Sequence, residues 1–178
     1  FLKLEIDKIP ETYKNSLDKY FIDLGLNKNN FFTDVSNYLS YETGQPTHCY
    51  DASAMSGKLL FHEIEKNEEF ETLLDKKIAL TGKNSVFSLD NNVINLAGIV
   101  GGKSTSCSKN TKTVIVECAF FQPEAIIGKS VKYDIQSEAS HKFERGVDPE
   151  CHDKVLRRFI KLVSEHANIK DMSIISYK

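Results

Sequence analysis

The sequence predicts an α+β fold. Segments near the two ends carry apolar residues at helical spacing: Tyr13, Leu17, Tyr20, Phe21 and Leu24 in the first, and Val155, Phe159, Leu162 and Val163 in the last. Between them lie several short runs of strand character divided by turn residues. Helices at the ends with strands between them suggest segregated elements rather than alternating βαβ units. The 178 residues suffice for one sizeable domain or two small ones sharing a core. With no low-complexity linker and no fixed-period repeat, the chain reads as a single domain over residues 1–178.

The elements follow in order. Leu2 to Ile6 alternates and predicts a strand. Pro10 introduces the first helix, which Gly25 can stop in a left-handed conformation. Residues 27–30 are polar loop, Phe31 to Leu39 is mixed, and Thr43-Gly44-Gln45-Pro46 is turn chemistry. Leu59 to Glu65 predicts a strand, and Glu68 to Lys77 a charged connector or short helix. Ile78 to Leu80, Val86 to Leu89 and Val93 to Val100 predict strands, with turns at Gly82 and Asn91-Asn92. Gly98 interrupts the third of these and Gly101-Gly102 ends it. Thr113 to Ala119 is the clearest strand. A short helix is expected after Pro123. Asp148-Pro149 suits a helix start, with the carboxylate as cap and proline in the first turn, so the last helix is expected over about 149–166. Ile174-Ile175 suggests a closing strand.

Bulk properties exclude several classes. No apolar run approaches the ~20 residues of a membrane span, no signal peptide is visible, and a cytoplasmic protein is expected. The net charge of −2 gives no whole-chain basic footprint for nucleic acid, so any RNA contact is expected to be local. Cys49, Cys107, Cys118 and Cys151 form no C-x-x-C pair, and His48-Cys49 with Cys151-His152 do not set four ligands in a tetrahedron. Reduced thiols and no metal are expected. The chain begins at Phe1 rather than Met, which reads as a segment of a longer protein.

Residues 139–149, Ala-Ser-His-Lys-Phe-Glu-Arg-Gly-Val-Asp-Pro, are the most informative run, a shaped loop feeding a helix. Glu117 is the second singular feature. It interrupts the apolar strand Val114-Ile115-Val116 and Cys118-Ala119-Phe120, sharing a face with Ile115 and Ala119. If that face is buried, the carboxyl must be paired or shifted in pKa; otherwise it is an edge-strand glutamate in solvent. His48 follows Gly44-Gln45-Pro46-Thr47, and a lone histidine is more often structural than functional. Gly98, Gly101 and Gly102 lack P-loop spacing; they read either as a bulge or turn, or as backbone left bare for a ligand.

These segments come in a fixed order: Asn37-Tyr38, then Gly44-Gln45-Pro46-Thr47-His48-Cys49-Tyr50-Asp51, then Ala97-Gly98-Ile99-Val100-Gly101-Gly102, then Val116-Glu117-Cys118-Ala119-Phe120-Phe121, then the 139–149 run. Together they resemble the central editing domain of the bacterial-type phenylalanyl-tRNA synthetase β-subunit, from about Leu17 to about Val163. The resemblance implies two interleaved α/β lobes with mixed sheets, flanking helices and an editing cleft between them. It implies hydrolysis of Tyr-tRNA(Phe), with His48, Glu117 and Ser137 as catalytic residues and Gly98, Gly101, Glu117 and Ala139 as substrate-binding residues. Glu117 is the residue that recognises the tyrosine hydroxyl; His48 holds a water or the terminal ribose; Tyr50-Asp51 shapes the lobe. The implied partners are the tRNA(Phe) 3′ end carrying tyrosine and the synthetase α-subunit, with no membrane. No cofactor is implied for this domain, whereas the parent enzyme uses ATP and Mg²⁺. Departures from the family pattern are Ser137 for threonine, Glu138 for aspartate, Thr47 for a larger apolar residue, Cys49 for alanine and Lys142 for arginine. No hydrolase triad is evident, so attack by a positioned water is expected, with glycine N–H groups near the oxyanion. The rival readings are a non-catalytic assembly or tRNA-positioning module of the same subunit, and a free-standing deacylase or nucleotide-binding enzyme.

Overall fold

A computed structural model of the chain describes residues 1–175. In chain order the elements are β1 (Leu2–Ile6), α1 (Asn15–Asp23), α2 (Phe31–Thr43), β2 (Thr47–Asp51), β3 (Leu59–Glu65), β4 (Glu68–Glu71), β5 (Lys77–Leu80), β6 (Lys83–Leu89), β7 (Asn92–Leu96), β8 (Val100–Gly101), β9 (Thr113–Cys118), α3 (Pro123–Ile126), α4 (Lys129–Tyr133), α5 (Glu138–Phe143), α6 (His152–Ser164) and β10 (Ile169–Ile174). The expected α+β class is borne out. The chain forms two compact units that interleave in sequence: Phe1–Ala52, Cys107–Ala119 and the residues from Asp148 onward make the first, Ser53–Ser106 and Phe120–Val147 the second.

The first unit is built on a sheet of order β10-β1-β9-β2, antiparallel throughout. Alternation sends Leu2, Leu4, Val114, Val116 and Cys49 to one face, where they pack with Leu17 and Phe21 of α1, Phe32, Val35 and Leu39 of α2, and Val155, Phe159, Leu162 and Val163 of α6. Phe159 and Leu162 are fully buried, each such side chain contributing about 1.5–3 kcal/mol relative to exposure. The inward set expected for the last helix is therefore correct.

The second unit carries a sheet of order β3-β6-β7-β8 and the β4-β5 hairpin. Its buried side chains include Phe70, Ile78, Val86, Phe87, Ile94, Leu96, Phe121, Ile126, Tyr133 and Phe143.

Four local expectations need correction. The first helix begins at Asn15, not at Pro10, and Leu24 lies beyond its end and 48% exposed. Residues 31–43 form a helix rather than a mixed segment: Asn30 caps it by accepting from the Thr33 N–H at 3.1 Å, and Gly44 ends it at φ +79°. Residues 68–80 form a hairpin rather than a connector or helix, because Phe70 opposite Ile78 supplies a buried cross-strand pair amid the glutamates. Asp148 does not cap the last helix. Its Oδ1 accepts from the Glu150 N–H at 2.9 Å, closing a turn two residues on, and the helix starts at His152.

Candidate functional site

The site residues of the first unit are placed by the register of β2 on β9. His48 lies opposite Glu117 and Tyr50 opposite Ile115. The period of two puts His48, Tyr50 and Glu117 together on the sheet face away from the helices, and Cys49 with Val116 on the helix-covered face. Gln45 locks this start of the strand: its Nε2 donates to Pro46 O at 3.0 Å and to Ala119 O at 2.9 Å, and its Oε1 accepts from Cys151 Sγ at 3.4 Å. Ser36 Oγ donates to Thr47 O at 2.8 Å, tying the same segment to α2.

Glu117 is buried, at 5% exposure, and Tyr50 is fully buried. The Tyr50 hydroxyl donates to Glu117 Oε2 at 2.5 Å, and it stands diagonally across the strand pair. The His48 ring meets the Tyr50 ring edge-on, centroids 4.4 Å apart at 76°. His48 is half-buried as a residue, yet its Nε2 is enclosed and without a hydrogen-bond partner among the described residues. Burial pulls the His48 imidazole down to about 4 and pushes the Glu117 carboxyl up to about 7, the Tyr50 hydrogen bond opposing the latter. At neutral pH the imidazole is therefore neutral, and the carboxyl sits near its midpoint.

Cys49 is no partner for His48. Its thiol is buried on the other face, donates to Phe32 O at 3.5 Å, and is raised well above its ordinary pKa by burial, which makes it a poor nucleophile. All four cysteines are free thiols. Among the described residues no group of three or more His, Cys, Asp or Glu is placed to hold a metal, and no helix is long and apolar enough to cross a membrane.

The remaining expected residues fall in the second unit. Gly98 adopts φ +70°, and a Cβ there would lie 2.7 Å from Ile126 Cδ1 and 3.0 Å from Phe121 Cδ2, so both conformation and packing demand glycine. Gly101 is buried in β8, opposite Asn95, and its carbonyl accepts from the Leu73 N–H at 2.9 Å. The Gly102 N–H donates to Ile94 O at 2.7 Å. Ser137 is the N-cap of α5: its Oγ accepts from the Ser140 N–H at 3.0 Å and donates to Ile99 O at 2.7 Å. Ala139 lies half-buried in the first turn of that helix. The run read as a shaped loop is thus helical up to Phe143, with Arg145 Nη1 folded back onto His141 O at 2.9 Å.

The six expected residues divide two and four: His48 with Glu117 in the first unit, Gly98, Gly101, Ser137 and Ala139 in the second. Sequence reasoning treated Tyr50 as lobe-shaping and did not anticipate its hydrogen bond to Glu117. The signal was present in the spacing, because a residue two beyond His48 on an antiparallel partner of Glu117 is that carboxyl's diagonal neighbour.

Fold and site point to one class. The family described as the B3/4 domain matches residues 5–168, and the chain belongs to that family. Among curated relatives it is similar to phenylalanine–tRNA ligase β subunits. It is 36% identical to that of Francisella tularensis over 80% of this chain and 18% of the relative. Identity is 35% to that of Psychrobacter arcticus over 89% and 20%, and 39% to that of Zymomonas mobilis over 71% and 16%. The resemblance drawn from the motifs is borne out. The chain spans no more than about a fifth of the length of these relatives.

Proposed function

We propose that the chain is the editing part of a phenylalanine–tRNA ligase β subunit and hydrolyses tyrosine from Tyr-tRNA(Phe). The observation that carries this reading is the buried Glu117 carboxyl beside His48 on the sheet face away from the helices. Tyrosine and phenylalanine differ by one hydroxyl. A buried carboxyl that pairs with that hydroxyl rejects phenylalanine, because the acceptor is otherwise left unpaired.

In this reading Glu117 recognises the ring hydroxyl; in the second unit Gly98 and Gly101 fix the local backbone and Ala139 keeps a small side chain on α5. His48, neutral at working pH, holds the attacking water as a hydrogen-bond acceptor; with its pKa drawn down to about 4 it is too weak a base to keep the proton. The water oxygen adds to the ester carbonyl carbon, and the bond to the ribose oxygen breaks. The proton ends on the ribose hydroxyl, and tyrosine and tRNA are released. Ser137 supports α5 and through it Ala139. The parent ligase would use ATP and Mg²⁺ at another site, pair with an α subunit and act in the cytoplasm.

One observation favours the second reading, a non-catalytic tRNA-positioning module: the Ser137 hydroxyl is engaged on both sides by backbone. The deciding experiment is deacylation of Tyr-tRNA(Phe) by the complete ligase, with Glu117→Ala as the control. Rapid clearance by the parent and slow clearance by the variant are expected. No clearance by the parent leaves the positioning module.

A further inference from the structure

The Tyr50 hydroxyl has the chemistry of the ligand hydroxyl that Glu117 is proposed to read. It is a phenol, it reaches the same carboxyl, and it does so from within the protein at 2.5 Å. A carboxylate offers two oxygens and about four lone-pair sites, so one phenol does not exhaust it. What one phenol does is fix it. A buried carboxyl without a partner is free to turn about its last torsion, which is broad and two-fold, and bears the full cost of its burial. A short bond to Oε2 restrains that torsion and offsets part of the cost.

We propose that Tyr50 is a positioning residue for tyrosine selectivity: its hydroxyl holds Oε2 of Glu117 and so presents Oε1 to the hydroxyl of the bound aminoacyl group. The proposal rests on the editing reading given above. Three features support it. Tyr50 is fully buried on the face shared by His48 and Glu117, so its hydroxyl is committed to that face. The bond from Tyr50 opposes the effect of burial on the carboxyl, keeping it a better acceptor than burial alone would allow. The Tyr50 ring also braces the His48 ring edge-on, a contact that phenylalanine at this position retains. Removing the hydroxyl therefore tests the grip on Glu117 without removing the support of His48.

The test uses the complete ligase carrying Tyr50→Phe, Glu117→Gln or both, with kcat and KM measured for hydrolysis of Tyr-tRNA(Phe) and Phe-tRNA(Phe). Tyr50→Phe is expected to lower the ratio of the two specificity constants by about tenfold or more, the range of a hydrogen bond to a charged group, and to do so chiefly through KM for the tyrosyl ester. In the Glu117→Gln background the same change is expected to lower the ratio no further, since the two residues act as one unit. Equal losses on both esters, or a full Tyr50→Phe effect in the Glu117→Gln background, would mean a merely structural role and overturn the proposal. If Tyr50→Phe does not fold, 3-fluorotyrosine at position 50 replaces it. That change keeps the ring and alters the acidity of the donor, and unaltered discrimination there also overturns the proposal. The two failures are separable. If Glu117→Gln lowers discrimination and Tyr50→Phe does not, editing by Glu117 stands and the role of Tyr50 falls. If the parent ligase leaves Tyr-tRNA(Phe) intact, the editing reading falls and takes this inference with it.

Discussion

In the first unit, the candidate residues His48 and Glu117 hold polar chemistry that the fold does not use up: an enclosed imidazole nitrogen without a partner among the described residues, and a carboxyl tied through one oxygen to Tyr50. In the second, Ser137, Gly98 and Gly101 are bound into the architecture as a helix cap, a left-handed turn against Ile126 and Phe121, and a ladder position. The difference assigns them different work. His48 and Glu117 offer hydrogen-bonding groups, whereas Ser137, Gly98 and Gly101 set the backbone within their own unit. Substitutions in the first should alter selectivity and pH behaviour, whereas those in the second should alter room and stability.

The largest effect is expected from Ala139→Trp. A close-packed site does not relax around the added ring, and a clash of about 3 kcal/mol corresponds to roughly a hundredfold loss of Tyr-tRNA(Phe) hydrolysis. Phenylalanine ligation by the complete ligase should stay near normal. Accumulation of Tyr-tRNA(Phe) and the rate of Phe-tRNA(Phe) synthesis, measured on one variant, check this. Loss of both would mean misfolding or a shared site, and retention of both would mean that Ala139 does not face the ligand.

Glu117→Ala comes next. Losing a hydrogen bond to a charged acceptor costs on the order of 1.5–3 kcal/mol, so discrimination between tyrosyl and phenylalanyl esters should fall by about ten- to a hundredfold. Parent selectivity in this variant would remove the chemical role of the first unit.

Ser137→Ala should act on stability instead. Removing the cap of α5 should cost about 1 kcal/mol, read as a lower urea midpoint, and Ser137→Asp should recover most of it. If Ser137→Ala leaves stability alone but abolishes hydrolysis, the contrast between the units is wrong and Ser137 belongs with the chemistry.

The smallest effect is a pair of opposed slopes. Between about pH 4.5 and 7 native Glu117 holds a proton that the unfolded chain has released, so this group lowers stability as pH rises. Between about pH 4 and 6.5 the unfolded chain holds a proton that native His48 lacks, so this group raises stability as pH rises. Where the windows overlap, the two nearly cancel. Urea unfolding across pH 4–7 should therefore be flat in this respect for the parent. It should tilt upward with pH in Glu117→Gln and downward in His48→Gln, relative to the parent.

Alternation made β1 readable, the apolar run from Val114 to Val116 did so for β9, and the inward set of α6 followed from helical spacing. β10 spans Ile169–Ile174, so the closing strand expected at Ile174-Ile175 was placed too late, because its outward residues are largely polar and exposed. Residues 31–43 were not readable, because Phe31 and Phe32 break the simple amphipathic stripe and the helix depends on the Asn30 cap. Glutamates at 68, 69 and 71 masked a strand whose identity rests on one buried residue, Phe70. Asp148 chose a local turn over a cap, a competition between two nearby N–H groups that composition does not decide. Of the candidate site, Glu117 was legible because a charge in an apolar strand is conspicuous. Tyr50 was not, because a tyrosine beside apolar residues looks like core until its cross-strand register is known.

The interleaving of the units bears on synthesis. β1, at residues 2–6, finds its partners only at β9, residues 113–118, and at β10, residues 169–174. Its edges stay unpaired while well over a hundred residues are translated. β3, β6 and β7 by contrast pair within residues 59–96. Nascent chains should therefore order the second unit's sheet early and complete the first only when β10 emerges, an order that pulse-labelled amide protection would reveal as β6 and β7 protected before β1. The strand that carries Glu117 lies between β1 and β2 in the β10-β1-β9-β2 sheet, so the residue that would read the ligand is locked in place only once β9 has joined two strands made long before it.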